Sequence, residues 1–462
     1  MASFRTEKDS LGPVQVPSRA IYGAQTQRAV DNFPISGQRM PRAFIRALGE
    51  IKRAAARANL ETGLLDEPVA RTIGEAAAHV ISGELDDQFP IDVYQTGSGT
   101  SSNMNANEVI ARLATRSLGR AVHPNDQVNL CQSSNDVIPT AIHVAAACGI
   151  ADSLLPALRR LQDALAEKQR AFDDVVKSAR THLMDATPIR LGQEFGGFAM
   201  QITRGIQRVQ HALDELTEVP LGGTATGSGI NRHLEFPKRT LRHVSQTTGV
   251  TFREAEDHFE AQSARDAIVS ASGALNTLAV SLMKIANDIR LLSSGPTSGL
   301  AEIRLKPLQP GSSIMPGKVN PVLCEAMMMV CARVMGNHTT LTVCGQHGNL
   351  ELNVMMPVMA ASLLESIAIL AGAAESFIDR CLEGMEVDRA RCRSLLELNP
   401  SIATALNGTI GYDLAATVAK EAAASGRTVR EVALEMKLVE PAELDRLLDV
   451  RSLTEPGFPD AD

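Results

Sequence analysis

The spacing of apolar residues between about 137 and 393 constrains this chain most. Ile268, Ala271, Leu275, Leu278, Leu282, Ile285, Ile289 and Leu292 follow one another in steps of three and four. At about 3.6 residues per turn, such steps place all of them on one stripe of a long helix. Leu191, Phe195, Phe198, Ile202, Ile206, Val209 and Leu213 repeat the pattern upstream, as do Leu363, Ile367, Leu370, Ala374 and Phe377 downstream. Pro156 stands ahead of Leu158, Leu161 and Leu165, where its fixed φ and missing N–H suit a first helical turn. The middle of the chain therefore reads as a bundle of long helices. With 44% apolar residues, only 3% aromatic and no Trp, the core must be built from Ala, Leu, Ile, Val and Met, a composition that favours close-packed helices. Helices so rich in apolar and Ala surface need partners beyond their own chain, which predicts an oligomer; one large monomeric bundle is the alternative.

The flanks read differently. Residues 1–136 mix short helices with Pro- and Gly-marked loops such as SGQRMPR and TGSGTSSNMN, and residues 396–462 form a small charged helical module with a polar tail, EPGFPDAD. The expectation is an all-α chain of three domains, 1–136, 137–395 and 396–462. A net charge of −8 and the lack of any Lys/Arg-rich run leave no footprint for nucleic acid. The seven Cys contain no C-x-x-C pair, so neither zinc nor an iron–sulfur cluster has its usual ligand spacing, and reduced thiols in a reducing cytoplasm are expected. The N-terminus has neither the apolar stretch of a signal peptide nor the Arg-rich, acid-poor character of a transit peptide. Ala267 to Met283 is uncharged, but Ser, Gly, Asn and Thr interrupt it, so it reads as a bundle helix rather than a membrane span.

The loop 311–321, GSSIMPGKVNP, carries the most chemical information. It is no Walker loop, because five residues separate Gly311 from Gly317-Lys318 and Val319 follows the lysine. It does offer backbone N–H groups, an ammonium and a hydroxyl to an oxyanion, and its two glycines allow bending over a ligand. Further polar clusters lie at Thr96 to Asn107, Ser133-Ser134-Asn135-Asp136, Thr181-His182 and the Gly-rich GGTATGSGIN at 222–231. Each alone is as readily a helix cap as a site. Together, these uncharged donors and one lysine suit a small dicarboxylate. His79, His143, His211, His243 and His258 fall within helical patterns and read as structural; His338 and His347 flank the expected site region without any mark of a ligand.

These segments resemble the fumarase/aspartase superfamily over essentially the whole chain, and class II fumarases most closely. GSSIMPGKVNP matches the superfamily signature GSSxMPxKxNP, and TGSGTSSNMNANEV, HPNDQVN, QSSND, RTHLMDATP, LGQEF, GGTATGSGIN and GNLELN match fumarase segments in family order. Ala24-Gln25-Thr26-Gln27-Arg28 and Gly317 before Lys318 look like fumarase rather than aspartase. Three departures stand out: Ala179 where Gly is usual, Cys131 where Ser is common, and His338 where Asp is usual.

The resemblance implies a three-domain, all-helical homotetramer whose central helices form a common bundle. Segments of three subunits would line each active site, with no cofactor and no metal. It implies a cytoplasmic lyase of the tricarboxylic acid cycle that interconverts fumarate and malate through an aci-carboxylate, with no nucleic-acid or membrane partner. In that mapping Ser312 is the base at carbon, and His182, paired with Glu325, acts at oxygen. Lys318 and Asn320 bind the intermediate, with Ser98, Gly99, Thr100, Ser133, Ser134, Asn135, Thr181, Ser313 and Val319 around the substrate. Arg120, His123, Pro124, Asn125 and Asp126 resemble the family's second anion site, for which a helix cap is an equal contender.

Overall fold

The computed structural model describes residues 3–457, so Met1, Ala2 and the end of the expected polar tail lie outside the described residues. Long helices form where the apolar spacing places them, at Leu155–Ala171, Leu191–Leu216, Asp266–Leu292 and Met356–Phe377, and a further one, for which no stripe was read, at Val322–Gly345. Every residue of the stripe from Ile268 to Leu292 is at most 4% exposed, and of the stripe from Leu191 to Leu213 only Ile206 escapes full burial. Each buried Leu or Ile contributes roughly 1.5–3 kcal/mol by leaving water, which is why period and burial coincide.

The architecture is all-α. Among the described residues β-structure is confined to five two-stranded pairs and one isolated bridge, Arg39 with Asp92. The one that matters for the site, Val176–Thr181 with Met184–Arg190, is not visible in the helical period. The helix Ser134–Gly149 passes into Leu155–Ala171 through a π-type turn, Ile150–Leu154. Pro156 cannot donate to the preceding turn, and the π turn supplies the relaxed spacing that its ring requires.

The chain divides into two compact units. One takes the chain up to Ala157 with Gly205–Val280 and Val330–Gly372; the other takes Leu158–Arg204, Ser281–Met329 and the chain from Ala373 onward. The core of the first includes Ile51, Ala55, Ile73, Ala77, Val109 and Ile110 from helices Arg42–Glu61, Glu67–Ser82 and Thr100–Leu118. In the second, Phe172, Phe195 and Phe198 meet edge-to-face at 5.4 and 5.5 Å, and a separate cluster around Leu406, Val418, Val432 and Leu444 stabilises the C-terminal helices.

By length and composition alone, three helical stretches are apolar enough to cross a membrane: Ser134–Ala171, Asp266–Leu292 and Met356–Leu382. Only the second contains the stretch considered from sequence. Its apolar window is 44% buried within this chain, and Val280 on it is 52% exposed.

One buried group makes stability depend on acid. His143 Nδ1 lies 2.8 Å from the Glu218 carbonyl and 3.2 Å from that of Leu216, so the ring donates its single N–H to backbone. Burial, with the Arg265 guanidinium nearby, pushes its pKa down to about 4. The unfolded chain therefore takes up this proton first as pH falls. The contribution is full above about pH 6.5 and is lost by about pH 4, worth about 3 kcal/mol. Urea melts at pH 7 and 4.5 should show His143→Gln, which keeps an N–H donor, losing less stability on acidification than the parent; equal losses would refute the assignment.

Candidate active site

In the first unit the polar segments converge on two helix starts. Gly99, at φ 70°, turns the TGSG loop into helix Thr100–Leu118, and the Ser98 and Thr100 hydroxyls lie 2.8 Å apart. Ser133 caps helix Ser134–Gly149 in a capping box with Asp136. Asn103 donates to Ser134 Oγ at 3.2 Å, which places the two first turns side by side. The positive ends of two helix dipoles thus gather beside Ser98, Gly99, Thr100, Ser133, Ser134 and Asn135, an arrangement suited to a carboxylate. The Gly-rich segment joins them: Asn135 Nδ2 donates to the Ala225 carbonyl at 2.8 Å, and Asp136 Oδ2 accepts from Gly222 and Thr224 N–H, each at 3.0 Å.

Beneath this cluster lies a lysine that no motif marks. Lys52 is fully buried and donates to Asn129 Oδ1 and Gln132 Oε1, each at 2.9 Å. Burial pulls its pKa down to about 7 and pushes that of Asp136 up to about 6, while each charge partly offsets the other's shift. The fold thus keeps a weakly held positive charge below the first turns of these two helices.

Gly97 shows how closely the loop is supported. A Cβ there would lie 1.7 Å from the Val354 carbonyl oxygen, whereas one at Gly74 would meet nothing within 4 Å. Gly97→Ala should cost about 3 kcal/mol through forced backbone movement, and Gly74→Ala should be neutral or slightly stabilising. Thermal melts of the two variants check this, and equal melting temperatures would refute it.

In the second unit, His182 and Leu183 form the two-residue tip of the hairpin Val176–Thr181/Met184–Arg190, with φ of 57° and 62°. Two left-handed residues are what a tight hairpin of matching twist requires, and for side chains other than Gly they are strained. Thr181 and His182 are exposed, and the His182 ring has no hydrogen-bonding or ionic partner among the described residues.

The loop 311–321 closes on itself at its base. Gly311 N–H donates to the Lys318 carbonyl at 2.7 Å, and Asn320 Nδ2 donates to the Gly311 carbonyl at 2.9 Å. Inside the ring, Ser312 Oγ accepts from the N–H groups of Ile314 at 3.2 Å and Met315 at 3.0 Å. Ser313, Lys318 and Val319 are exposed, and the Lys318 ammonium has no side-chain partner among the described residues. Glu325, in the first turn of helix Val322–Gly345, is likewise exposed and unpaired there. In this single chain His182 and Glu325 share no hydrogen bond. The residues of segment 120–126 are engaged within the chain: Arg120 pairs with Asp66, and His123 Nδ1 accepts from Asn125 and Asp126 N–H at 3.3 and 3.1 Å, capping the turn Pro124–Val128.

A lyase family model matches residues 12–336, and a model of the fumarase C C-terminus matches residues 402–455. Class II fumarate hydratases of Xylella fastidiosa and Mycobacterium tuberculosis are each 51% identical, covering 98% and 100% of this chain and 96% and 98% of theirs. The chain belongs to the class II fumarase family. A solved class II fumarase from Schistosoma mansoni superposes with a TM-score of 0.96 at 36% identity, covering 99% of this chain and all of that one. The fumarate lyase:delta crystallin of Brucella melitensis gives 0.93 at 44% identity, covering 98% of this chain and all of that one.

Against the class II fumarase pattern, the three departures fall at identifiable places. Cys131 adopts φ 64° just before the Ser133 cap; Ala179 lies where the hairpin register shifts; His338 Nδ1 lies 3.0 Å from Ser272 Oγ. Sequence reasoning missed Lys52 and the bridging role of Asp136. The buried position of Lys52 within a helical apolar pattern was its only signal.

Proposed function

We infer that this chain is a fumarate hydratase, adding water reversibly to fumarate to give (S)-malate. The observation that carries this reading is Ser312: its oxygen accepts two backbone N–H bonds inside the loop that matches the superfamily signature. A serine hydroxyl is a poor base in water, and these donors, with the Lys318 ammonium on the same loop, favour its alkoxide.

In dehydration, Ser312 takes the C3 proton of malate, and the electron pair delocalises into the neighbouring carboxylate as an aci-carboxylate. His182, oriented by Glu325, delivers a proton to the leaving hydroxyl, and water departs as the double bond forms. Hydration reverses each step. Enzymes lower barriers by ~8–23 kcal/mol, whereas one positioned acid or base supplies ~10²–10⁴-fold, so charge stabilisation must carry much of the rest. Lys318 and Asn320 supply it, together with Thr181, Ser313, Val319, Ser98, Gly99, Thr100, Ser133, Ser134 and Asn135 around the two carboxylates.

The working form is a cytoplasmic homotetramer, organised in three domains with boundaries near 136 and 395, in which segments of three subunits line each site. Large apolar side chains left exposed on the site segments support association with further copies of the chain: Leu183 at 79%, Ile314 at 84% and Leu350 at 87%. Met200, Val280, Met329 and Val343, exposed on the long helices, point the same way. Arg120, His123, Pro124, Asn125 and Asp126 form a second anion site outside the catalytic pocket.

Following fumarate absorbance with malate, fumarate and aspartate as substrates tests the reading. Turnover with water alone is expected. Turnover only with aspartate, or only with ammonium present, would make the protein an ammonia-lyase instead.

A further inference from the structure

The second unit contains a buried charge cluster that the mechanism above does not use. Lys177 and Arg180 lie on the strand that ends at Thr181. Lys177 Nζ is 3.2 Å from Glu302 Oε2, and Arg180 Nη1 is 2.8 Å from each Glu302 oxygen. Glu194, in the first turn of Leu191–Leu216, lies 3.1 Å from Lys177 and balances the charges at two against two. The Lys177 and Glu302 side chains are 1% and 0% exposed.

Glu302 is also bound through its backbone. Its N–H donates to the Leu292 carbonyl, and its carbonyl accepts from Asp388 N–H, each at 2.9 Å. It leads into the two-residue strand Ile303–Arg304, after which the chain has no helix or strand until Val322. That irregular stretch contains Ser312. In an unbroken strand, residues three apart face opposite sides. Lys177 and Arg180 nonetheless reach one carboxylate, and the register shift between Ser178 and Arg180 supplies the reorientation. Asn399 pins the shift by donating to Ser178 Oγ at 2.9 Å and to the Ala186 carbonyl at 2.7 Å.

We propose that Glu302 is a positioning residue of the hydratase reaction, its buried carboxylate tying the root of the His182 hairpin to the root of the Ser312 loop through Lys177 and Arg180. This rests on the hydratase reading above. Stability alone is a poor reason for such a cluster, because well-packed apolar groups usually serve a core as well as buried ions do, or better. Directional ion pairs instead fix where two otherwise exposed segments leave the core, and a displacement of about 1 Å at a reacting group costs roughly 10²-fold in rate.

The test uses the full-length protein with Glu302→Gln and with Lys177→Met/Glu302→Gln, the latter keeping the cluster neutral if the single variant folds poorly. In the double variant, kcat should fall roughly 10²-fold while KM changes less than about threefold, with parental assembly state and melting temperature. Amide hydrogen exchange should quicken over 178–184 and 305–320 but not in the long helices. Parental kcat in the double variant, or unchanged exchange in both segments, overturns the proposal. If the parent hydrates no fumarate, the reaction assignment fails separately, and the exchange measurement still decides whether Glu302 forms the tether.

Discussion

Ser312→Ala is expected to lower malate turnover by about 10⁴-fold, the upper end of what a positioned base supplies, while binding of a non-reacting malate analogue persists. The hydroxyl sits in an open loop and accepts only from Ile314 and Met315 N–H, so its removal leaves no buried polar group unsatisfied. The loop is closed by Gly311, Lys318 and Asn320 rather than by Ser312, and the Lys318 ammonium stays in place. Turnover and analogue affinity, measured on protein of unchanged size, separate lost chemistry from a lost fold. Near-parental turnover would move the base to Ser313 or His182.

His182→Asn is expected to reduce dehydration by roughly 10²–10³-fold yet leave some exchange of the malate C3 proton with solvent. Exchange needs only the carbanion, which Lys318 and the loop N–H groups still stabilise, whereas dehydration needs a proton at the departing oxygen. Asn is the chosen replacement because His182 has φ 57° at the hairpin tip, a conformation Asn accepts with little strain. Ser312→Ala should lose both reactions. Solvent-deuterium incorporation into malate reads the difference directly, with sizing of both variants as the control. Equal loss of exchange in the two variants would mean that His182 also sets up proton abstraction, and the division of roles would fail.

The sequence by itself determined the long helices and the family. A stripe such as Ile268 to Leu292 depends on neighbours three and four residues away, so its period is written locally and its burial follows. The loop 311–321 was likewise legible, because Gly, Ser, Lys and Asn at those spacings have no use in a helix interior. Hydropathy was less discriminating: three helical stretches have the composition of membrane spans, and family membership, not apolar content, assigns them to a bundle. Tertiary structure alone decided the rest. It placed His182 at a strained hairpin tip, set Lys52 beneath the helix starts that follow Ser98 and Ser133 and gathered Lys177, Arg180, Glu194 and Glu302 into one cluster. Arg180 and Glu302 are 122 residues apart and Lys52 and Asn129 are 77 apart. No local period encodes such pairs: a buried charge finds its partner only when packing brings distant strands and helices together, and the cost of leaving it unpaired then makes the meeting obligatory.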